Sequence, residues 1–167
     1  LAGGATSFPG ANGLVVFVRG GTLVTVQSGS AETNLGVAGA NPSWSPDGGK
    51  IAFDDGTSVK TINADATGLT TRATGTDPTW SPDGTKIAYI SGGDLFITGV
   101  TPALVTSGIS QPAWSPDGSK IAYVQGGDVK VVTVQGGATT NLTNSGATDT
   151  SPTWSPDGAK IAFTCNR

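Results

Sequence analysis

Acidic residues recur in this chain at fixed places. Asp47, Asp83, Asp117 and Asp157 are each followed three residues later by a lysine, Lys50, Lys86, Lys120 or Lys160. Regularly placed carboxylates could act as acid and base across a glycosidic bond, or as oxygen ligands for calcium. Neither chemistry finds a second element here. Each aspartate sits in the tetrapeptide Ser-Pro-Asp-Gly, whose residue types are those of a tight turn, and nothing singles out one carboxylate pair. A surface ion pair between each turn aspartate and its lysine is expected, contributing about 0–1 kcal/mol. The acidic doublet of "DDGTS", Asp54 to Ser58, lacks the alternating acids of a calcium loop and reads as a hairpin turn. There is no histidine, which excludes imidazole as base or ligand. No G-x-S-x-G elbow, phosphate loop or metal-ligand cluster occurs. The expectation is a protein without catalytic function, cofactor or metal site.

Bulk properties narrow the partners. Charged residues make up 13% of the chain and the formal charge is −3. Its lysines and arginines are scattered, so the clustered basic face of a nucleic-acid binder is not expected. The strongest apolar run, Leu14 to Val18, falls far short of the roughly 20 residues that span a bilayer. Cys165 is the single cysteine, so it is either a free thiol or a link between chains. A chain that opens on Leu1 and contains no methionine is expected to be a processed or excised product.

The elements that carry these residues are written four times. "PSWSPDGGKIAF" begins at Pro42, and close copies begin at Pro78, Pro112 and Pro152. Trp44, Trp80, Trp114 and Trp154 are separated by 36, 34 and 40 residues, the mark of a repeat architecture. A weaker copy, "SFPGANGLVVFV", sets Phe8 at the tryptophan position. Within one copy, large and small residues alternate on a period of two, so each line predicts strand, turn, strand. Gly-Gly pairs at Gly20, Gly92 and Gly126 predict a second hairpin, because that turn demands positive φ angles. Short segments such as "TNLG" and "TNLT" supply a fourth strand. A four-stranded sheet with two apolar faces is stabilised by stacking on its neighbours, which is the β-propeller solution. The four tryptophans are expected in the core between blades, and the four turn aspartates are structural.

The line P-x-W-S-P-D-G-x-K-I-A-F/Y resembles the TolB-type, or WD-like, bacterial propeller repeat, and the resemblance covers nearly the whole chain. It implies an all-β, single-domain propeller over residues 1–167. Its repeats fall at about 6–41, 42–77, 78–111 and 112–151, with a partial one at 152–167: four complete four-stranded antiparallel blades and a two-stranded fifth. Closed members usually have six blades, and similar propellers form the non-catalytic domain of prolyl oligopeptidases. The resemblance further implies a secreted, periplasmic or cell-surface bacterial scaffold that takes a peptide or protein partner at the channel mouth.

One position varies within the constant frame. The residue before each repeat proline is Ala5, Asn41, Asp77, Gln111 or Ser151. The last four are the candidate channel-mouth binding residues, since variation at one place on a rigid frame is how loops carry recognition. As read, the fifth repeat ends after two strands, leaving an open edge that could pair with another chain. Ile161, Phe163 and Cys165 belong to this candidate assembly edge. Leu14, which replaces the repeated lysine, joins them as either a covered contact or the drift of a terminal repeat. The alternatives are therefore a self-assembling subunit, forming an oligomer or filament, and the propeller portion of a larger hydrolase, which would need residues beyond Arg167.

Overall fold

The computed structural model describes residues 13–144 and 146–166. Ala5 and Phe8 lie outside them. The described residues form 17 strands and no helix, and no helix is long and apolar enough to cross a membrane.

Five antiparallel sheets follow one another in chain order. The first holds β1 (Leu14–Arg19), β2 (Thr22–Gln27) and β3 (Thr33–Ala38). Next come β4 (Ala40–Trp44), β5 (Lys50–Asp54), β6 (Ser58–Asn63) and β7 (Thr70–Thr74). The third sheet is β8 (Thr76–Trp80), β9 (Ile87–Ser91), β10 (Asp94–Ile97) and β11 (Val100–Val105). Blade 4 contains β12 (Ile109–Trp114), β13 (Lys120–Gln125), β14 (Asp128–Thr133) and β15 (Thr139–Asn141). Two strands, β16 (Asp149–Trp154) and β17 (Ile161–Cys165), form the last. This is a β-propeller with four blades and an incomplete fifth.

Each repeated line folds as its residues dictate. Gly48, Gly84, Gly118 and Gly158 take φ between 68° and 70°, left-handed values that a glycine adopts without a Cβ penalty. Their N–H groups donate to Ser45, Ser81, Ser115 and Ser155 carbonyls at 2.8–2.9 Å, closing the turn. The serine hydroxyl finishes it. Ser45 Oγ donates to Asp47 Oδ1 at 2.6 Å and accepts the Lys50 N–H at 2.9 Å, and the other three copies repeat this. The serine hydroxyl first, then a backbone N–H two residues on, holds each turn carboxyl below its ordinary range; Asp117 falls to about 2. The expected aspartate–lysine pairs do not form. Among the described residues the ion pairs are Arg19–Glu32 and Lys60–Asp55, while Lys50 reaches across the ladder to Asn63 Oδ1 at 3.0 Å. A lysine on a strand projects sideways along the sheet, whereas the turn carboxylate folds back onto its own backbone.

The second hairpin keeps one register in the first four blades. Val18 pairs with Leu23, Asp54 with Val59, Ile90 with Leu95 and Val124 with Val129. Leu23, Val59, Leu95 and Val129 have no exposed surface. Three apolar clusters then join the blades in chain order. Val16, Leu23 and Leu35 of blade 1 meet Trp44, Ile51 and Phe53 of blade 2. Ala52 and Val59 meet Ile87. Leu95 and Ile97 meet Ile121, Tyr123 and Val132. Each fully buried aliphatic or aromatic side chain contributes about 1.5–3 kcal/mol. Ala52, Ala88 and Ala122, buried completely, give the small positions that let neighbouring sheets approach. Leu14 belongs to this framework: it packs on the blade 1–blade 2 cluster with Val37 and Ala64, far along the chain from Ile161, Phe163 and Cys165.

Candidate binding site on the inner strands

The first strands of successive blades, β4, β8, β12 and β16, pack against one another in chain order and form the inner rim. Asn41, Asp77, Gln111 and Ser151 lie inside these strands, at the second or third residue. At each, the pairing with the next strand slips: between Ala40 and Ser43, Thr76 and Thr79, Ser110 and Ala113, Thr150 and Thr153. The four residues have φ of 49°, 52°, 54° and 54°. A left-handed residue without a glycine's freedom costs roughly 1–2 kcal/mol, and here the cost recurs four times at one structural position. A bulge of this kind turns a side chain out of the ladder and re-aims it.

The re-aimed groups bind blade to blade. Asp54 Oδ2 accepts Asn41 Nδ2 at 2.9 Å and the Asp77 backbone N–H at 3.1 Å, while its Oδ1 takes the Gly56 N–H at 3.0 Å. Gln111 Oε1 accepts the Ser151 N–H at 2.7 Å. Thus a side chain of one blade satisfies the backbone donor that the next blade's bulge releases. All four bulge residues remain half-buried, leaving part of each side chain open to solvent. Burial, and after it the charge of Asp54, pushes the Asp77 carboxyl above its ordinary value. The rim therefore offers two amides, a hydroxyl and a carboxylate at one repeated level. These are hydrogen-bonding groups suited to a polar backbone, with no nucleophile and base in contact.

Asp54 was read from the sequence as part of a turn, and the turn itself stands: Asp55 Oδ1 accepts the N–H groups of Thr57 and Ser58. Asp54 nevertheless ends β5 and is 2% exposed. A signal was available. Aligned copies place Val18, Ile90, Val124 and Thr164 there, so an aspartate at this register has to be explained by a partner.

The other end of the inner strands carries the Ser-Pro-Asp-Gly turns. Shallow grooves of about 400 and 340 Å³ lie between neighbouring turns, lined by Pro82, Trp114 and Asp117 in one and Pro116, Trp154 and Asp157 in the other. The tryptophans tie blades together beneath them: Trp114 Nε1 donates to Thr79 O at 3.2 Å and Trp154 Nε1 to Ala113 O at 3.1 Å. Among the described residues, no group of three or more His, Cys, Asp or Glu side chains is gathered to hold a metal.

No family model and no curated protein sequence matches the chain. Solved structures do. A TolB structure from Agrobacterium tumefaciens superposes with a TM-score of 0.76 at 22% identity, over 91% of this chain and 65% of that one. TolB from Acinetobacter baumannii gives 0.66 at 22%, over 84% and 42%. An oligogalacturonate lyase in complex with manganese gives 0.69 at 14%, over 94% and 57%. The fold is that of a TolB-type β-propeller. This chain spans less than two thirds of the length of each of these three proteins.

Proposed function

We propose that the protein is a non-catalytic recognition scaffold, periplasmic or extracellular in a bacterium, that takes an extended peptide or a protein segment at the rim marked by Asn41, Asp77, Gln111 and Ser151. One observation carries the reading. Four non-glycine residues accept a left-handed backbone at the same bulge, and all four carry polar side chains: two amides, a carboxylate and a hydroxyl. A purely structural bulge is served best by glycine, so polar side chains held there at an energetic cost are consistent with a use for those side chains. The TolB-type propeller fold is consistent with a scaffold, and the resemblance of the repeat to that bacterial family supports the compartment.

The test is selection of a displayed peptide library on the protein, followed by re-binding to a variant carrying Asn41→Gly, Asp77→Gly and Gln111→Gly. Glycine keeps the bulge and removes the side chains. Selected peptides should lose at least tenfold in affinity while the far-ultraviolet spectrum of the variant is unchanged. Equal affinity for both proteins would reject the site.

A further inference from the structure

We propose that the rim reads its ligand with a fixed polarity: a cationic donor group, either a basic side chain or an α-ammonium, sits over Asn41 and Asp77, and a backbone carbonyl sits over Gln111. This rests on the rim being the recognition site, and adds the charge and the sense of what it takes. The polarity comes from which atoms of the bulge residues the fold already uses. Asn41 and Gln111 carry the same amide but are held in opposite senses. Asn41 meets the carboxylate of Asp54, an acceptor, so its Nδ2 donates inward at 2.9 Å and its Oδ1 is left over. Gln111 meets the Ser151 backbone N–H, a donor, so its Oε1 accepts inward at 2.7 Å and its Nε2 hydrogens are left over. Asp77 gives only its backbone N–H to the blade contact. Among the described residues, no donor reaches its carboxylate, and the ion pairs are Arg19–Glu32 and Lys60–Asp55. In chain order the rim therefore presents an amide oxygen, a carboxylate, an amide NH2 and a hydroxyl. The acceptors stand on blades 2 and 3, and the amide donor on blade 4.

The acceptor side is also the negative side. Asp54, 2% exposed, gives its two oxygens to three N–H donors, from Asn41, Gly56 and Asp77, and none of them brings a positive charge. Hydrogen bonds of this kind favour the ionised carboxylate and leave its charge in place. That charge acts on Asp77, whose carboxyl is raised by burial first and by Asp54 second. A cation at Asp77 thus meets two carboxylates at once, in a half-buried setting where ion pairs are screened less than on an open surface. It also relieves the repulsion between them. A neutral donor at the same place gains hydrogen bonds alone, and an anion is repelled. On blade 4 the demand is the opposite: the free Gln111 amide hydrogens suit a carbonyl oxygen, which a peptide chain leading away from the cationic group supplies. Ser151, whose hydroxyl both donates and accepts, imposes no sense of its own.

The probe is a displayed library of random short peptides selected on the protein, keeping those that the triple glycine variant fails to bind, so that only rim binders remain. These should share one lysine, one arginine or a free N-terminus. Replacing the basic residue by glutamine, or acetylating the N-terminus, tells the two sources apart, and the effective change should weaken binding at least tenfold. Asp77→Asn keeps a residue tolerated at the bulge and removes the charge. It should weaken the parent peptide at least tenfold and leave the affinity of the neutralised peptide unchanged, a coupling that a disturbed fold would not produce. Gln111→Glu keeps an oxygen for the Ser151 N–H and turns the outward donor into an acceptor. Measured with the neutralised peptide, so that the added charge meets no cation, it should weaken binding at least threefold. Rim binders with no cationic group in common, or an affinity unmoved by Asp77→Asn, overturn the proposal and leave the rim reading standing. Equal or tighter binding of the neutralised peptide to the Gln111→Glu variant overturns the assigned sense. A library that yields no rim binder rejects the rim reading and the polarity with it.

Discussion

Asp77→Gly should make the protein more stable, although it deletes a half-buried polar residue on the inner rim. At φ 52° the aspartate carries a left-handed penalty of about 1–2 kcal/mol. Glycine removes it but gives back roughly 0.5–1 kcal/mol through the freer unfolded chain. The Asp77 N–H still reaches Asp54, since it is a backbone group. Its carboxyl is held above the ordinary value by burial and by the Asp54 charge, so the charged form is disfavoured in the fold. The backbone part alone predicts a gain of about 0–1.5 kcal/mol, or a rise in Tm of up to about 6 °C for a domain this size. Removing the charge adds to this at neutral pH. Asp77→Asn isolates that part, as it keeps a residue tolerated in the left-handed region. With the folded value raised, protonation favours the fold: the penalty is absent below about pH 3.8 and grows as pH rises through the folded value. Asp77→Asn should therefore stabilise at pH 7 and be neutral near pH 3. Asp77→Val, branched at a positive φ, should destabilise at every pH. Urea unfolding at pH 3, 5 and 7 measures all three. A loss of more than about 1 kcal/mol on Asp77→Gly at pH 7 would refute the idea that the bulge is strained.

The turns and the core yield further outcomes. Ser115→Ala removes a buried hydroxyl that accepts the Lys120 N–H at 2.9 Å, and should cost about 1–3 kcal/mol in urea unfolding. The same change takes away the first cause of the low Asp117 value, so carbon-detected NMR should find that carboxyl rising from about 2 toward 3.8. Asp117 lends stability above about pH 4 that is lost as pH falls toward 2, and the variant should narrow this window. Phe53→Ala should cost about 3–5 kcal/mol, while Phe163→Ala, at the exposed edge, should cost less than about 1 kcal/mol.

The blades were legible in the sequence because their signals are local. Proline, aspartate and glycine define the turn by their own backbone preferences, and Gly20-Gly21, Gly92-Gly93 and Gly126-Gly127 all take the positive φ that their hairpins require. The rim was legible only as a variable position. Its left-handed backbone was not, because asparagine, aspartate, glutamine and serine do not announce a positive φ as glycine does. The strands consequently start earlier than the repeat prolines suggest, at Ala40, Thr76, Ile109 and Asp149. Asp54 is masked in the sequence by its neighbour Asp55, which makes the turn and by itself explains the acidic doublet. The lysine contacts depend on cross-strand register rather than on distance along the chain, which is why Lys50 finds Asn63 and not Asp47. That Leu14 packs on the cluster joining the first two blades is likewise not legible from its replacing the repeated lysine, because the cluster gathers residues from both blades.

Recognition at the bulged rim is the central claim, and a chemical-shift footprint tests it most directly. A peptide selected on the protein would be titrated into an isotope-labelled sample and the perturbed backbone amides mapped. A band of shifts is expected at Asn41, Asp77, Gln111 and Ser151, extending to Asp54, with the Ser-Pro-Asp-Gly turns undisturbed. Shifts confined to Pro82, Trp114 and Asp117 at the opposite end of the inner strands, or to β17, would contradict it.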